Sequence, residues 1–234
     1  MDTFFKILAY SSFSGLAVVI GGYLGTKKIP DKILAFVLTF GSGVLLSVLS
    51  FSLMHEAYQL SGPVCTSLAF IIGGVSFYLL EYFVSKHVAE GTGMIIGTAM
   101  DDLPEALSMG IGFATGKGKL GIVLALSIFL HNIPEGISST QELIDKSKLT
   151  TKSAMLLAFL VALLDPFAAL TGYYILRNVS TELHGMIMAF SGGSILFMTG
   201  TDMIPKAHKI GSRLENFGML VGFLTTFLLS RIMG

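Results

Sequence analysis

The chain has 234 residues, of which 53% are apolar and only 13% charged, with fifteen basic and fifteen acidic side chains and no net charge. A water-soluble domain carries about twice that charged fraction, and a mean hydropathy of +0.77 also excludes an ordinary soluble protein. Cys65 is the only cysteine, which excludes an internal disulfide and a thiolate metal cluster.

In chain order the apolar residues fall in blocks of about 20, the length that crosses the hydrocarbon of a bilayer as a helix. The chain reads as an all-α integral membrane protein, one transmembrane domain over 1–234 with no extramembrane domain. Eight spans are expected at roughly 4–25, 33–57, 64–84, 93–114, 119–140, 152–176, 185–205 and 214–232. The blocks are too long for barrel strands and show no in-out alternation. Phe4 to Leu24 lacks a small-residue cleavage site, so it reads as the first span and not as a cleavable signal. The loops after spans 1, 3, 5 and 7 hold ten Lys and Arg, and the opposite side, termini included, holds five. The positive-inside rule then places both termini outside the cytoplasm.

Gly41–Tyr58 (GSGVLLSVLSFSLMHEAY) and Ser191–His208 (SGGSILFMTGTDMIPKAH) align without gaps, sharing Gly43/Gly193, Leu46/Leu196 and Ala57/Ala207. Spans 2 and 7 run in opposite directions, so the echo is expected of inverted repeats, spans 1–3 and 6–8, about spans 4 and 5. Small-residue helix interfaces that merely look alike are the competing explanation.

Every Lys and Arg lies at or near a span end. Asp101, Asp102, Glu105, Glu135 and Asp165 instead fall near the centres of spans 4, 5 and 6, with no basic residue at similar depth. At roughly 3 kcal/mol for each such acid, five cost on the order of 15 kcal/mol, so they need protons or cations. Asp101-Asp102-Leu103-Pro104-Glu105 and His131-Asn132-Ile133-Pro134-Glu135 are the same unit thirty positions apart. In each, the first residue and the Glu are i and i+4, on one helix face. Pro104, Pro134 and Pro166 each remove a helical N–H, freeing the carbonyls of Met100, Leu130 and Ala162. If spans 4 and 5 pack face to face, one cation meets Asp101, Glu105, His131 and Glu135. A second meets Asp102, Glu105, Asn132, Glu135 and Asp165. Oxygen-rich sites with one imidazole suit zinc, iron(II) or manganese. A buried hydrogen-bond network that only holds helices together is the bland alternative.

The unit His131-Asn132-Ile133-Pro134-Glu135-Gly136 resembles the signature of the ZIP family of zinc and iron transporters. Gly43–Ala57, Ala162–Gly172 and Phe190–His208 resemble that family's second, sixth and seventh helices. The resemblance implies eight helices, external termini, a binuclear site between helices 4 and 5, and a possible homodimer in the cell membrane. It also makes Asp202 an entrance or exit ligand, with His55, Glu56 and His208 as weaker candidates at span ends. The chain departs from the family at Asp101-Asp102, where His-Asn is usual, and at Ser52, where many members have a histidine. The loop after span 3 is short, with His87 alone. These departures leave iron, manganese or cadmium open beside zinc.

The expected function is movement of a divalent metal into the cytoplasm, with no enzymatic role and no nucleic-acid partner. A proton-coupled carrier of another solute is the main alternative. An intramembrane metallohydrolase is disfavoured because no His-Glu-x-x-His unit is present. Glu81, His87 and His184 read as solvated surface.

Overall fold

A computed structural model describes residues 3–88, 90–115 and 118–233; the side chains of residues 90–95 and 101 lie outside the description. All the regular structure among the described residues is helical. The helices are α1 (Thr3–Gly25), α2 (Asp31–Val48), α3 (Met54–His87), α4 (Glu90–Ala114), α5 (Gly118–Asp145), α6 (Thr151–Ala162), α7 (Leu164–Leu176), α8 (Thr181–Met198), α9 (Ile204–Ile210) and α10 (Phe217–Met233). A π-helical segment, Leu49–Leu53, joins α2 to α3, and another, Thr199–Met203, joins α8 to α9. Five stretches are long and apolar enough to cross a membrane: Thr3–Gly25, Asp31–His87, Gly118–Asp145, Thr151–Leu176 and Thr181–Ile210. The chain is an integral membrane protein.

Local sequence explains where the helices start and stop. Thr150 and Ser180 cap α6 and α8 by accepting the N–H of Ser153 and Leu183, each at 3.2 Å. Before α10, the N–H and the hydroxyl of Ser212 both donate to Glu215 Oε2 at 2.6 Å, a Ser-x-x-Glu capping arrangement. The Ser212 hydroxyl bond holds the Glu215 carboxyl below its usual range.

Two of the expected spans are differently built. Span 2 does not end at residue 57. It runs through the π segment to Ser61 and breaks at Gly62, whose φ of 71° and ψ of 175° are open only to glycine. Before that break Ala57 and Leu60 flank Gly185 of α8. After it Cys65 meets Glu182, Gly73 meets the Phe190 carbonyl and Phe77 meets Phe197, so the chain now runs parallel to α8. It has therefore reversed at Gly62. Span 6 is broken at Leu163 into α6 and α7. Pro166 cannot donate to Ala162, and the freed carbonyl faces Gly15 of α1. By contrast α4 and α5 continue through Pro104 and Pro134, and α5 reaches Asp145, shortening the expected loop at 141–151.

The helices group by what they pack against. α1, α4, α5, α6 and α7 form one bundle, and α2, α3, α8, α9 and α10 the other. Glycines set the close contacts. Gly43 abuts the Met219 carbonyl and Gly222 that of Phe40, while Gly193 abuts the Phe70 carbonyl and Gly73 that of Phe190. In the first bundle Gly21 abuts Ile133 and Gly136 abuts Val18, while Gly172 abuts Leu107 and Gly110 abuts Ala169. A backbone carbonyl can lie this near a helix only where no Cβ intervenes.

Candidate metal centre

The midpoints of α4 and α5 face each other and bury their polar groups. Asp102, Asn132 and Asp165 are fully shielded, and Glu105, His131 and Glu135 are nearly so. One ligand atom each from Asp102, His131 and Glu135 lies within 4.8 Å of the others, a spacing that contracts readily onto one ion with donors about 2.0–2.2 Å away.

The histidine fixes what this cluster needs. His131 Nδ1 lies 3.0 Å from the Ser127 carbonyl, and a carbonyl only accepts, so Nδ1 carries a proton. Nε2 points the other way, 3.1 Å from Glu105 Oε2 and 4.0 Å from Glu135 Oε2. In the neutral ring Nε2 is a lone pair, and a lone pair against a carboxylate oxygen is attractive only with a proton or a metal ion between them. A metal ion, a second ring proton or a protonated glutamate supplies it. The Nδ1 bond to Ser127 is the outer partner that orients a metal-binding imidazole. Around it Glu105 Oε1, both amide atoms of Asn132 and Asp165 Oδ1 are buried with no hydrogen-bond partner among the described residues. Buried polar atoms are ordinarily satisfied, so this concentration of unused donors and acceptors marks a binding site. Asp165 Oδ2 accepts from the Ser14 hydroxyl at 2.6 Å, which ties α7 to α1 beside the cluster.

Spacing alone put Asp102 with Glu105, Asn132, Glu135 and Asp165; the structure also brings His131 to Asp102 and Glu135. The side chain of Asp101 lies outside the described residues. Of the entrance and exit candidates, none joins the His131 cluster. Asp202 lines a cavity, His55 is exposed, Glu56 is buried near the far end of its span, and His208 is exposed and 2.9 Å from Asn216 Oδ1.

A cavity of about 470 Å³ leads away from the cluster. Glu135, Ser138, Thr98, Glu81 and Asp202 supply its polar wall, and it extends to Ser85 and Val88 near the lysine-bearing helix ends. Glu81 is exposed, as expected of a solvated acid, and it also lines this cavity from α3. Its signal was the apolar run FYLLEYFV on both sides of it, a charge with no reason to be there unless it meets water or a cation. His184 is buried, and its Nε2 lies 2.6 Å from the Leu176 carbonyl at the end of α7. It joins two helix ends and is not surface.

Apolar crossing helices around a buried cluster of carboxylates and imidazole define a membrane protein built to take a cation inside the bilayer. The comparisons make this particular. The family model described as ZIP Zinc transporter matches residues 91–230, more than half of the chain, and the chain belongs to that family. It is similar to the zinc transporter ZupT of Chlorobaculum parvum, 26% identical over 99% of this chain and 98% of that protein. It is 25% identical to ZupT of Clostridium perfringens over 90% of each. The zinc transporter GufA of Myxococcus xanthus is 32% identical over 60% of this chain and 55% of that protein. These relatives are named as transporters, not enzymes.

Proposed function

We propose that this chain carries zinc across a membrane into the cytoplasm, through ligands contributed by α4, α5 and α7. The observation that carries the reading is His131 Nε2 set between Glu105 and Glu135, an arrangement that a divalent cation would satisfy. Asp102, His131 and Glu135 hold one ion. Glu105, Asn132 and Asp165, with their unused oxygens, complete a second beside it, and Asp101 is assigned to the same centre. Iron(II), manganese and cadmium stay as further cargoes on donor chemistry alone. The cavity from Glu135 toward the lysine-rich ends supports release on that side, which the positive-inside rule makes cytoplasmic, with both termini outside.

The same reading gives a single domain over 1–234 with eight crossings, because the reversal at Gly62 makes Asp31–His87 two of them. It arranges spans 1–3 and 6–8 as inverted repeats about α4 and α5. The two π segments stand 150 residues apart, as do the starts of α2 and α8, and the glycine contacts recur in matching pairs. Ser14 and Asp165, which touch each other, then occupy equivalent places in the first and sixth spans. A homodimer in the cell membrane completes the proposal, on the family resemblance alone.

Uptake of radiolabelled zinc into proteoliposomes tests it. The full chain is expected to fill vesicles with zinc, and Glu105→Ala with Glu135→Ala to reduce uptake to the level of empty vesicles. Unchanged uptake in that double variant rules the site out.

A further inference from the structure

Glu135, Ser138 and Glu142 stand at i, i+3 and i+7 on α5, so they share one stripe of the helix. The cavity follows this stripe past Glu135 and Ser138, and Glu142 is next along it toward the lysine-rich ends. Across from it Asp202 lines the same cavity, and Lys206 stands one turn further on. The two stripes close on each other one turn past these lining residues. Lys206 Nζ donates to Glu142 Oε1, and Lys146 holds Glu142 Oε2 at 3.0 Å. Glu142 and Lys206 keep only 16% and 19% of their side-chain surface exposed. Asp202 lies within electrostatic reach of Lys206, Glu142 and Lys146.

This pair joins the two bundles, since Glu142 belongs to α5 and Lys206 to α9. It also lies one turn beyond Ser138 and Asp202, which line the cavity from the two sides. Without Lys206 this carboxylate keeps Oε1 free beside Lys146 on Oε2, and with Asp202 behind it that oxygen can take a divalent cation. An ammonium resting on it is a cation that never leaves the protein. We propose that Glu142 is an exit ligand for the departing divalent ion, and that Lys206 is a tethered counter-cation that occupies Glu142 between passages and displaces the ion. This rests on the transport reading above and assigns its last step. The lysine keeps the exit carboxylate from holding zinc, so release stays fast although the route is acidic.

The test counts ions as well as rates, because a merely structural ion pair changes stability but not stoichiometry. Zinc binding is measured by calorimetry on the full chain in detergent, and uptake in proteoliposomes. Lys206→Gln is expected to bind one additional zinc ion per chain and to slow uptake roughly tenfold. Adding Glu142→Gln to it removes the additional ion and returns uptake to within about twofold of the starting protein. Lys206→Arg behaves as the unaltered chain in both measurements. The count is repeated with Glu135→Gln present. There the additional ion of Lys206→Gln persists although the intramembrane site is disabled, which separates failure of this assignment from failure of the transport reading. The proposal is overturned if Lys206→Gln gains no ion, or if the gained ion survives Glu142→Gln. Should Lys206→Gln not fold, Glu142→Gln alone decides: it leaves a bare ammonium in the exit and slows uptake, and unslowed uptake overturns the proposal.

Discussion

Residues 31–61 and 181–210 place their buried side chains in the same order. Leu34 and His184, Leu38 and Met188, Gly43 and Gly193, Leu45 and Ile195, and Leu53 and Met203 are all buried, each pair 150 positions apart. Both stretches pass from an α-helix into a π-helical segment at the same step. Their polar residues do not match. Ser52 in the first is buried, where the second has Asp202 lining the cavity, and Glu56 stands where the second has Lys206. The path of the backbone is set by where small and apolar residues fall, and these coincide. The route for an ion is set by a few charges the path does not need, and these differ. One shape used twice can therefore serve an asymmetric task.

The largest effect should strike the shared part. A Cβ on Gly43 would run into the Met219 carbonyl, and one on Gly193 into the Phe70 carbonyl, backbone against backbone in both cases. Neither carbonyl belongs to a flexible side chain that can step aside. Gly43→Leu and Gly193→Leu should each cost at least about 3 kcal/mol, with little monodisperse protein recovered on size-exclusion chromatography. A large loss at one and none at the other would break the correspondence.

A smaller effect separates the ends of the two stretches. Gly62 has open space around it, so Gly62→Ala meets only backbone strain, about 2 kcal/mol for a residue forced into a glycine-only region. Gly211, which ends α9, has an ordinary φ of −106°, but a Cβ there meets the Ala35 side chain. Gly211→Ala should cost about 1 kcal/mol and be rescued by Ala35→Gly. No neighbouring substitution should rescue Gly62→Ala. Thermal unfolding midpoints in detergent read both.

The parts legible in the sequence are those written linearly. Charge inside an apolar block needs no partner to be seen, so Glu105, His131, Glu135 and Asp165 stood out, and the chain does reverse within the expected gap between 57 and 64. The π segments were not legible: neither LSFSL nor TGTDM carries a proline, and Gly200 occurs in the second alone. Helical spacing fixed which ligands share a face of α4, but not how α4 is rotated against α5. That rotation decides that His131 joins Asp102 and Glu135. Glu81 needed α5 and the second π segment beside it before its place in the cavity could be known.

A last prediction, read in transport and not in stability, tests where the two stretches part. Asp202 faces the cavity one turn before Lys206, whereas Ser52 is packed away inside the protein. Asp202→Asn keeps the size of the side chain and removes its charge, so packing is preserved and only the attraction for a passing cation is lost. Zinc uptake should fall about tenfold, equivalent to roughly 1.4 kcal/mol at the barrier, with the unfolding midpoint unchanged. Ser52→Ala should leave uptake within about twofold, because its position repeats the shape of Asp202 without its charge. Equal losses in the two variants would mean that the helical path, and not the acid, governs passage. Asp202 would then be one more polar group on a helix that happens to border water.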